Sequence, residues 1–150
     1  MSGIDAVLDA QKGYFDMSID ASGDITTDDF FDTSILYSLN GEKRAAPEEV
    51  VEASRRRGWI GSVYADYENG SKLWLYEQSR KTPATLNAIR DEAQKALQWL
   101  VSDGYAVAID DITATATVDG VKLSLTIRRS ADKVDRRYYE FWNNSGVTEL

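Results

Sequence analysis

The apolar positions of the chain follow two different periods, and the change between them divides it. Leu86, Ile89, Ala93, Ala96, Leu97 and Leu100 recur at helical spacing on one face, with Arg90, Asp91, Gln94, Lys95 and Gln98 on the other. Thr82 is a capping residue followed by Pro83 at the first helical position, and Gly104 stands where a left-handed residue ends a helix. The pattern predicts one long helix over 83–102. Beyond Gly104 the period falls to two, and strands are expected at 105–109, 112–118, 121–128 and 134–142. Asp119-Gly120 favours a two-residue type I′ turn. That turn would set Val118 opposite Val121, Ala116 opposite Leu123, Ala114 opposite Leu125 and Ile112 opposite Ile127, all facing the long helix. Thr113, Thr115, Thr117, Lys122, Ser124 and Thr126 would face away.

Before the long helix the elements are shorter. A hairpin is expected from 14–20 and 25–27 around a turn at 21–24. A helix over 34–39, capped by Asp32 or Thr33, would bury Ile35, Leu36 and Leu39 and end at Asn40-Gly41. A second short helix could follow Pro47 over 48–53, and a third, capped by Ser71, would span 72–80. The fold class is therefore α+β: a long helix packed on a C-terminal antiparallel sheet, with a short N-terminal hairpin and short helices. One domain is expected over 1–150, with an acidic N-terminal hairpin and helix in 1–50 and a helix-plus-sheet core in 71–142.

Composition removes chemistry rather than adding it. The 150 residues include no His and no Cys, which excludes Ser-His-Asp and Cys-His nucleophilic catalysis, the usual zinc sites, thiol redox work and disulfides. Carboxylates, Lys, Tyr and oxygen-ligated metals remain. No cofactor is expected. No apolar run approaches the ~20 residues of a bilayer span and no signal segment is visible, so a cytosolic chain without a membrane partner is expected. The net charge of −8 is local: residues 1–50 hold 11 acids and 3 bases, whereas 51–150 hold 14 of each. An acidic chain is poorly suited to phosphate backbones, so no nucleic-acid partner is expected.

Four segments are candidates for chemistry. Asp20-x-Ser22-x-Asp24 resembles the start of a calcium loop but lacks its Gly and closing Glu, which favours a solvated turn. Arg55-Arg56-Arg57-Gly58-Trp59 pairs bases with an aromatic; a phosphate clamp is one reading, and a loop that neutralises carboxylates and buries Trp59 is the favoured one. The most aromatic stretch holds Arg136, Arg137, Tyr138, Tyr139, Phe141 and Trp142. It reads equally as a half-buried last strand or as an exposed strand covered by a partner, since Tyr, Trp and Arg are enriched at interface hot spots. Glu77 beside Trp74, with Asp66 or Glu68, is the best carboxylate pair for a glycosidase; an exposed helix acid is the simpler reading. The acids Asp16, Asp20, Asp24, Asp28, Asp29 and Asp32 would either face a basic neighbour or keep the free chain soluble. An acidic DNA mimic is a further alternative, against which the balanced last hundred residues weigh.

The ordered motifs also resemble a known family. Asp24-Ile25, Ser34-Ile35-Leu36-Tyr37-Ser38-Leu39, Lys43-Arg44-Ala45, Arg57-Gly58-Trp59-Ile60-Gly61, Gly70-Ser71-Lys72-Leu73-Trp74-Leu75 and Ala96-Leu97-Gln98-Trp99-Leu100-Val101-Ser102-Asp103-Gly104 are similar to the small baseplate protein of Mu-like contractile-tailed phages, the gene product 46 family. That family resembles in turn the sheath initiator of T-even phages, gene product 25, which has been described as lysozyme-like. The chain departs from the pattern at Ile60 and Ser62, where Mu-type members commonly carry Trp and an acid, and at Gly41-Glu42-Lys43-Arg44. It also has Leu100-Val101-Ser102-Asp103 where the T-even relatives carry Glu-Pro-Arg. The resemblance implies a sheath-initiator baseplate fold and a structural, non-enzymatic role in the virion, assembled in the host cytoplasm. Its implied partners are larger wedge proteins, the tail sheath protein, and tail tube or hub proteins. Arg57, Trp59 and the 136–142 residues named above are the candidate partner contacts, and the sheet over 105–142 is the candidate platform for strand addition.

Overall fold

The computed structural model describes the backbone of residues 3–4, 6–9, 14–17, 19–25, 27–28, 31–66, 68, 70–142 and 148–149, and side chains within 19–25, 31–66, 68 and 70–142. Two-residue and four-residue strands come first: β1 (Gly3–Ile4), β2 (Ala6–Asp9), β3 (Tyr14–Met17) and β4 (Thr27–Asp28). The order continues with α1 (Phe31–Asn40), α2 (Pro83–Ser102), β5 (Ala108–Ala116), β6 (Val121–Arg128), β7 (Val134–Phe141) and β8 (Thr148–Glu149), all antiparallel in the last sheet as β5-β6-β7-β8. Between the helices run single 3₁₀ turns at Ala53–Arg55, Ile60–Val63 and Leu73–Tyr76. The α+β class holds. Among the described residues no helix is long and apolar enough to cross a membrane.

The long helix forms as its signals require. The Thr82 hydroxyl accepts from the Thr85 N–H at 3.2 Å, Pro83 opens the first turn, and Gly104 follows with φ of 81°. Ile89, Ala93, Leu97 and Leu100 are fully buried. They meet the inner face of β6, where Val121, Leu123, Leu125 and Ile127 are also fully buried, flanked by Tyr139 and Phe141 of β7. From α1, Phe31, Ile35 and Leu39 complete the same cluster, so both helices cover one face of the sheet. The two helices are tied by a polar pair. The Trp99 indole N–H donates to the Ser38 hydroxyl at 2.8 Å, and that hydroxyl donates to the Ser34 carbonyl at 2.8 Å.

The hairpin differs from the expected one. Ala116 pairs with Val121 and Ala114 with Leu123, two residues from the register of a two-residue turn. The connection is a four-residue loop, closed by the Thr117 N–H on the Gly120 carbonyl at 2.9 Å and the Gly120 N–H on the Thr117 hydroxyl at 2.9 Å. A shift of two preserves the faces, which is why the alternation alone does not detect it. The two expected strands at 105–109 and 112–118 are one bulged strand. Asp111, with φ of 52°, and Ile112 stand against Leu125 alone. This extra residue reverses the parity, so Ile109, Ile112 and Ala114 all reach the core.

Other expectations are also corrected. Residues 14–17 pair with β2, and β4 pairs with β1. Among the described residues, the bridge Ile19–Ile25 around the 20–24 turn is what remains of the expected hairpin. Helix α1 starts three residues earlier than expected, because Phe31 has a core site beneath the guanidinium of Arg129, 3.9 Å from its ring centre. The 48–53 helix is instead a turn in which the Glu49 and Val50 N–H groups both reach the Ala46 carbonyl. The 72–80 helix is one 3₁₀ turn, and Ser71, itself buried, accepts the Leu73 N–H on its hydroxyl at 3.3 Å at the start of that turn.

Gly120 tests this account of the loop. A Cβ there would lie 1.9 Å from the Phe141 carbonyl oxygen. The requirement is space beside β7 rather than a positive φ. Gly120→Asn, which a type I′ turn accepts, is expected to destabilise the chain as much as Gly120→Ala, by roughly 1–3 kcal/mol in denaturant unfolding. A neutral Gly120→Asn would restore the two-residue turn.

Candidate functional site

Residues 41–77 form an arm that crosses the ends of α1 and β7, and its order comes from arginines bonded to backbone oxygens. Arg56 donates from Nε to the Val50 carbonyl at 2.7 Å and from Nη2 to that of Val51 at 2.8 Å. Arg44 donates to the carbonyls of Arg57 at 3.0 Å and Ala53 at 3.2 Å. A guanidinium suits this task because its fixed fork satisfies two orphan carbonyls at once. At the base of the arm the Ser71 N–H reaches the Gly41 carbonyl at 2.8 Å and the Lys43 N–H reaches the Ser71 carbonyl at 2.9 Å. Ser71 Oγ donates to the Leu39 carbonyl at 2.8 Å, closing the junction with α1.

Arg57 stands where the arm meets the core. Its guanidinium lies 4.7 Å from the centre of the Trp74 ring, pairs with Glu42, and reaches Glu77 Oε2 at 3.7 Å. Trp74 is itself fixed by its indole N–H on the Lys43 carbonyl at 2.9 Å. Beside this cluster opens a groove of about 140 Å³ whose lining includes Leu39, Leu73, Trp74, Phe141 and Trp142. The expected loop that neutralises carboxylates is therefore present, built by Arg57 on Glu42 and Glu77. Trp59 is a correction: it is 44% exposed and does not enter the core.

The candidate contacts separate by face. Tyr139 and Phe141 are fully buried in the chain's own core, so their side chains offer nothing to a partner; their even spacing on a strand fully paired with β6 accounts for it. Arg137 lies on the same face, holding Asp32 of α1 at 2.6 Å beside Phe31. Arg136 and Tyr138 point to the opposite face, where Lys122 Nζ stands 4.9 Å from the Tyr138 ring centre. Trp142 and Arg57 meet at the groove. The half-buried reading of the last strand holds, with one face in the core and the other exposed or half-buried.

The carboxylates are largely engaged. Glu77 shares Arg57 with Glu42, and Glu68 is paired with Lys43 at 3.2 Å. Asp20 Oδ1 accepts from the Ser22 hydroxyl at 2.6 Å and from the backbone N–H groups of Ser22 and Asp24, which hold its carboxyl below the usual value. Among the described residues no group of three or more acids is gathered as a metal would require. Of the acidic N-terminal set, the side chains of Asp16, Asp28 and Asp29 lie outside the described residues.

Two helices on one face of an antiparallel sheet, with an ordered arm, a shallow groove and a β5 edge that has no partner strand among the described residues, define an α+β scaffold. The chain belongs to the phage protein GP46 family, whose model matches residues 31–135. It is 38% identical over 89 residues to the baseplate protein gp46 of Escherichia phage Mu, covering 58% of this chain and 61% of that protein. It is 32% identical over 101 residues to the Mu-like prophage FluMu protein gp46 of Haemophilus influenzae, covering 67% of this chain and 69% of that one.

One ion pair of the arm gives a pH-dependent expectation. Lys72 Nζ donates to Glu49 Oε2 at 2.8 Å and the Ala46 N–H donates to the same oxygen at 2.7 Å. Lys72 first, then that N–H, hold the Glu49 carboxyl below its ordinary value of 4.5. A depressed carboxylate stabilises the fold above its unfolded pKa and ceases to do so as pH falls through its folded one. Glu49→Gln is expected to cost up to about 1 kcal/mol at pH 7, the pair being partly exposed. The difference from the parent chain should shrink below pH ~4.5 in denaturant titrations; a constant difference down to pH 2 would remove Glu49 from the account.

Proposed function

We propose that this chain is a structural, non-enzymatic component of a phage tail baseplate, where it links wedge subunits and initiates sheath assembly by strand addition. Family membership and the name of the Mu relative support the baseplate role. The observation that carries strand addition is the outer edge of β5, which has no partner strand among the described residues. β7, by contrast, pairs with β6 along its length and with β8 at Tyr139 and Glu140. On this reading the edge that accepts a sheath strand is the β5 edge.

The register says which groups are offered. The Thr117 N–H bonds to the Gly120 carbonyl, so by the antiparallel alternation Thr115 and Thr113 turn their backbone groups to β6. Ala114 and Ala116 turn theirs outward. An incoming strand would bond there, with small side chains leaving the approach open. The carboxylate pairing of Glu77 with Arg57 favours this reading over a muralytic enzyme, and the charge balance of 51–150 favours it over a DNA mimic.

Ala116→Pro removes one outward N–H and none of the β5–β6 bonds, a change that edge strands tolerate. The variant is expected to fold with unchanged circular dichroism and to enter baseplates, while sheath polymerisation on them fails in electron micrographs. Sheaths of normal length on Ala116→Pro particles would discard strand addition at β5.

A further inference from the structure

The groove beside Arg57 carries charge and aromatic surface that neither the order of the arm nor strand addition uses. Its charged lining is Glu42, Glu77 and Arg57, so two carboxylates face one guanidinium and one negative charge is left over within the groove itself. Glu42 takes the short contact with Arg57. Glu77 Oε2 stands 3.7 Å away, an ion pair too long for a hydrogen bond, and among the described residues no donor bonds its carboxylate. The groove also opens at the C-terminal end of α1, with Asn40 in its wall, and that helix has no base in its last turn to offset the negative end of its dipole. The backbone is strained where these walls are built. A bulky residue at positive φ is an outlier, and of the three non-glycine cases among the described residues, Arg57 at 50° and Trp142 at 61° both line the groove. The third is Asp111 of the β5 bulge. Such strain persists only where the surrounding fold enforces it, and it gathers at sites that clamp a ligand.

Size and local charge choose the occupant. About 140 Å³ is well below the ~300–1,000 Å³ of small-molecule and cofactor pockets, and leaves room for a single side chain. The surplus carboxylate repels an anion, and an aliphatic side chain would bury that charge unpaired. A guanidinium suits every wall, because it stacks on indole rings and gives a carboxylate two parallel N–H donors. The groove already holds one such group: the Arg57 guanidinium lies 4.7 Å from the Trp74 ring centre. Of the chain's own arginines, Arg44 and Arg56 are spent on carbonyls and Arg90, Arg128 and Arg137 on aspartates, so a second guanidinium comes from elsewhere. We infer that the groove receives an arginine side chain from a different polypeptide of the same assembly, its guanidinium on Glu77 and against Trp142. This rests on the baseplate reading above. It is distinct from the β5 edge, so one chain would hold two neighbours by two unlike modes: a charged side chain received by one and backbone pairing offered by the other.

The test uses intact phage particles. With Asn40→p-benzoylphenylalanine, irradiation is expected to join the chain to a different polypeptide within a few residues of an arginine, read by mass spectrometry of the joined peptides. The same probe at Gln94, exposed on α2, serves as the control. Glu77→Gln should leave circular dichroism and the melting temperature unchanged and lower the Asn40 cross-link on the order of tenfold, as loss of one partner of a charge pair does. Changing the captured arginine to Gln should lower it equally, and the two changes together no further than either alone. Capture of a second copy, capture at a segment without arginine, capture no greater than at Gln94, or an unchanged cross-link in Glu77→Gln would each overturn the inference while the chain remains a particle component. A chain absent from unmodified particles would overturn the baseplate reading and this inference with it.

Discussion

The structure depends on burying one face of β6. Its four inward residues, Val121, Leu123, Leu125 and Ile127, have no solvent exposure, and every larger feature adjusts to keep them so. At roughly 1.5–3 kcal/mol for each fully buried aliphatic side chain, no surface interaction in the molecule competes. β5 accepts a bulge at Asp111 and Ile112 so that both of its isoleucines reach this face. Helix α1 extends back to Phe31 to cover the end that α2 leaves open, with Arg129 and Arg137 against the Phe31 ring. Arg137 is the exception on this face. It crosses from β7 to Asp32, fastening α1 with a charge whose stem packs as an apolar chain would.

The arm over 41–77 obeys a different rule. Most of its side chains stay out of the core, and its order comes from backbone carbonyls satisfied by arginine. Each bond is modest alone, about 1 kcal/mol net, but their number fixes an irregular path that no periodic pattern could hold. The consequence is a segment shaped without being packed. It has apolar residues to spare for the outside, Val51, Ile60, Val63 and Tyr64 among them.

These two rules account for the division of labour proposed for the chain. A sheet stabilised from one face does not require a further strand, and its β5 edge has no partner strand among the described residues. An arm held by backbone hydrogen bonds needs no further side chain of its own to fill the groove beside it. Neither needs a nucleophile, a metal or a thiol. A sequence without His or Cys is consistent with such a part.

Local signals determined the elements whose causes are themselves local: α2 through Thr82, Pro83 and its apolar stripe, β6 through strict alternation, and the break at Gly104. The family was also legible, since its motifs lie in order along the chain. The tertiary structure alone decided what depended on neighbours distant in sequence. The register of β5 is one such case, because a shift of two leaves the pattern of faces unchanged and Gly120 is demanded by the Phe141 carbonyl rather than by its own turn. The burial of Tyr139 and Phe141 against the exposure of Trp59 is another, because an aromatic residue reads alike in a core and at an interface. Arg44 and Arg56 are the last: a run of bases beside acids already reads as a loop that neutralises carboxylates, which Arg57 does on Glu42 and Glu77, but only the fold shows the other two spent on backbone carbonyls, because those oxygens are brought to them by the path of the arm.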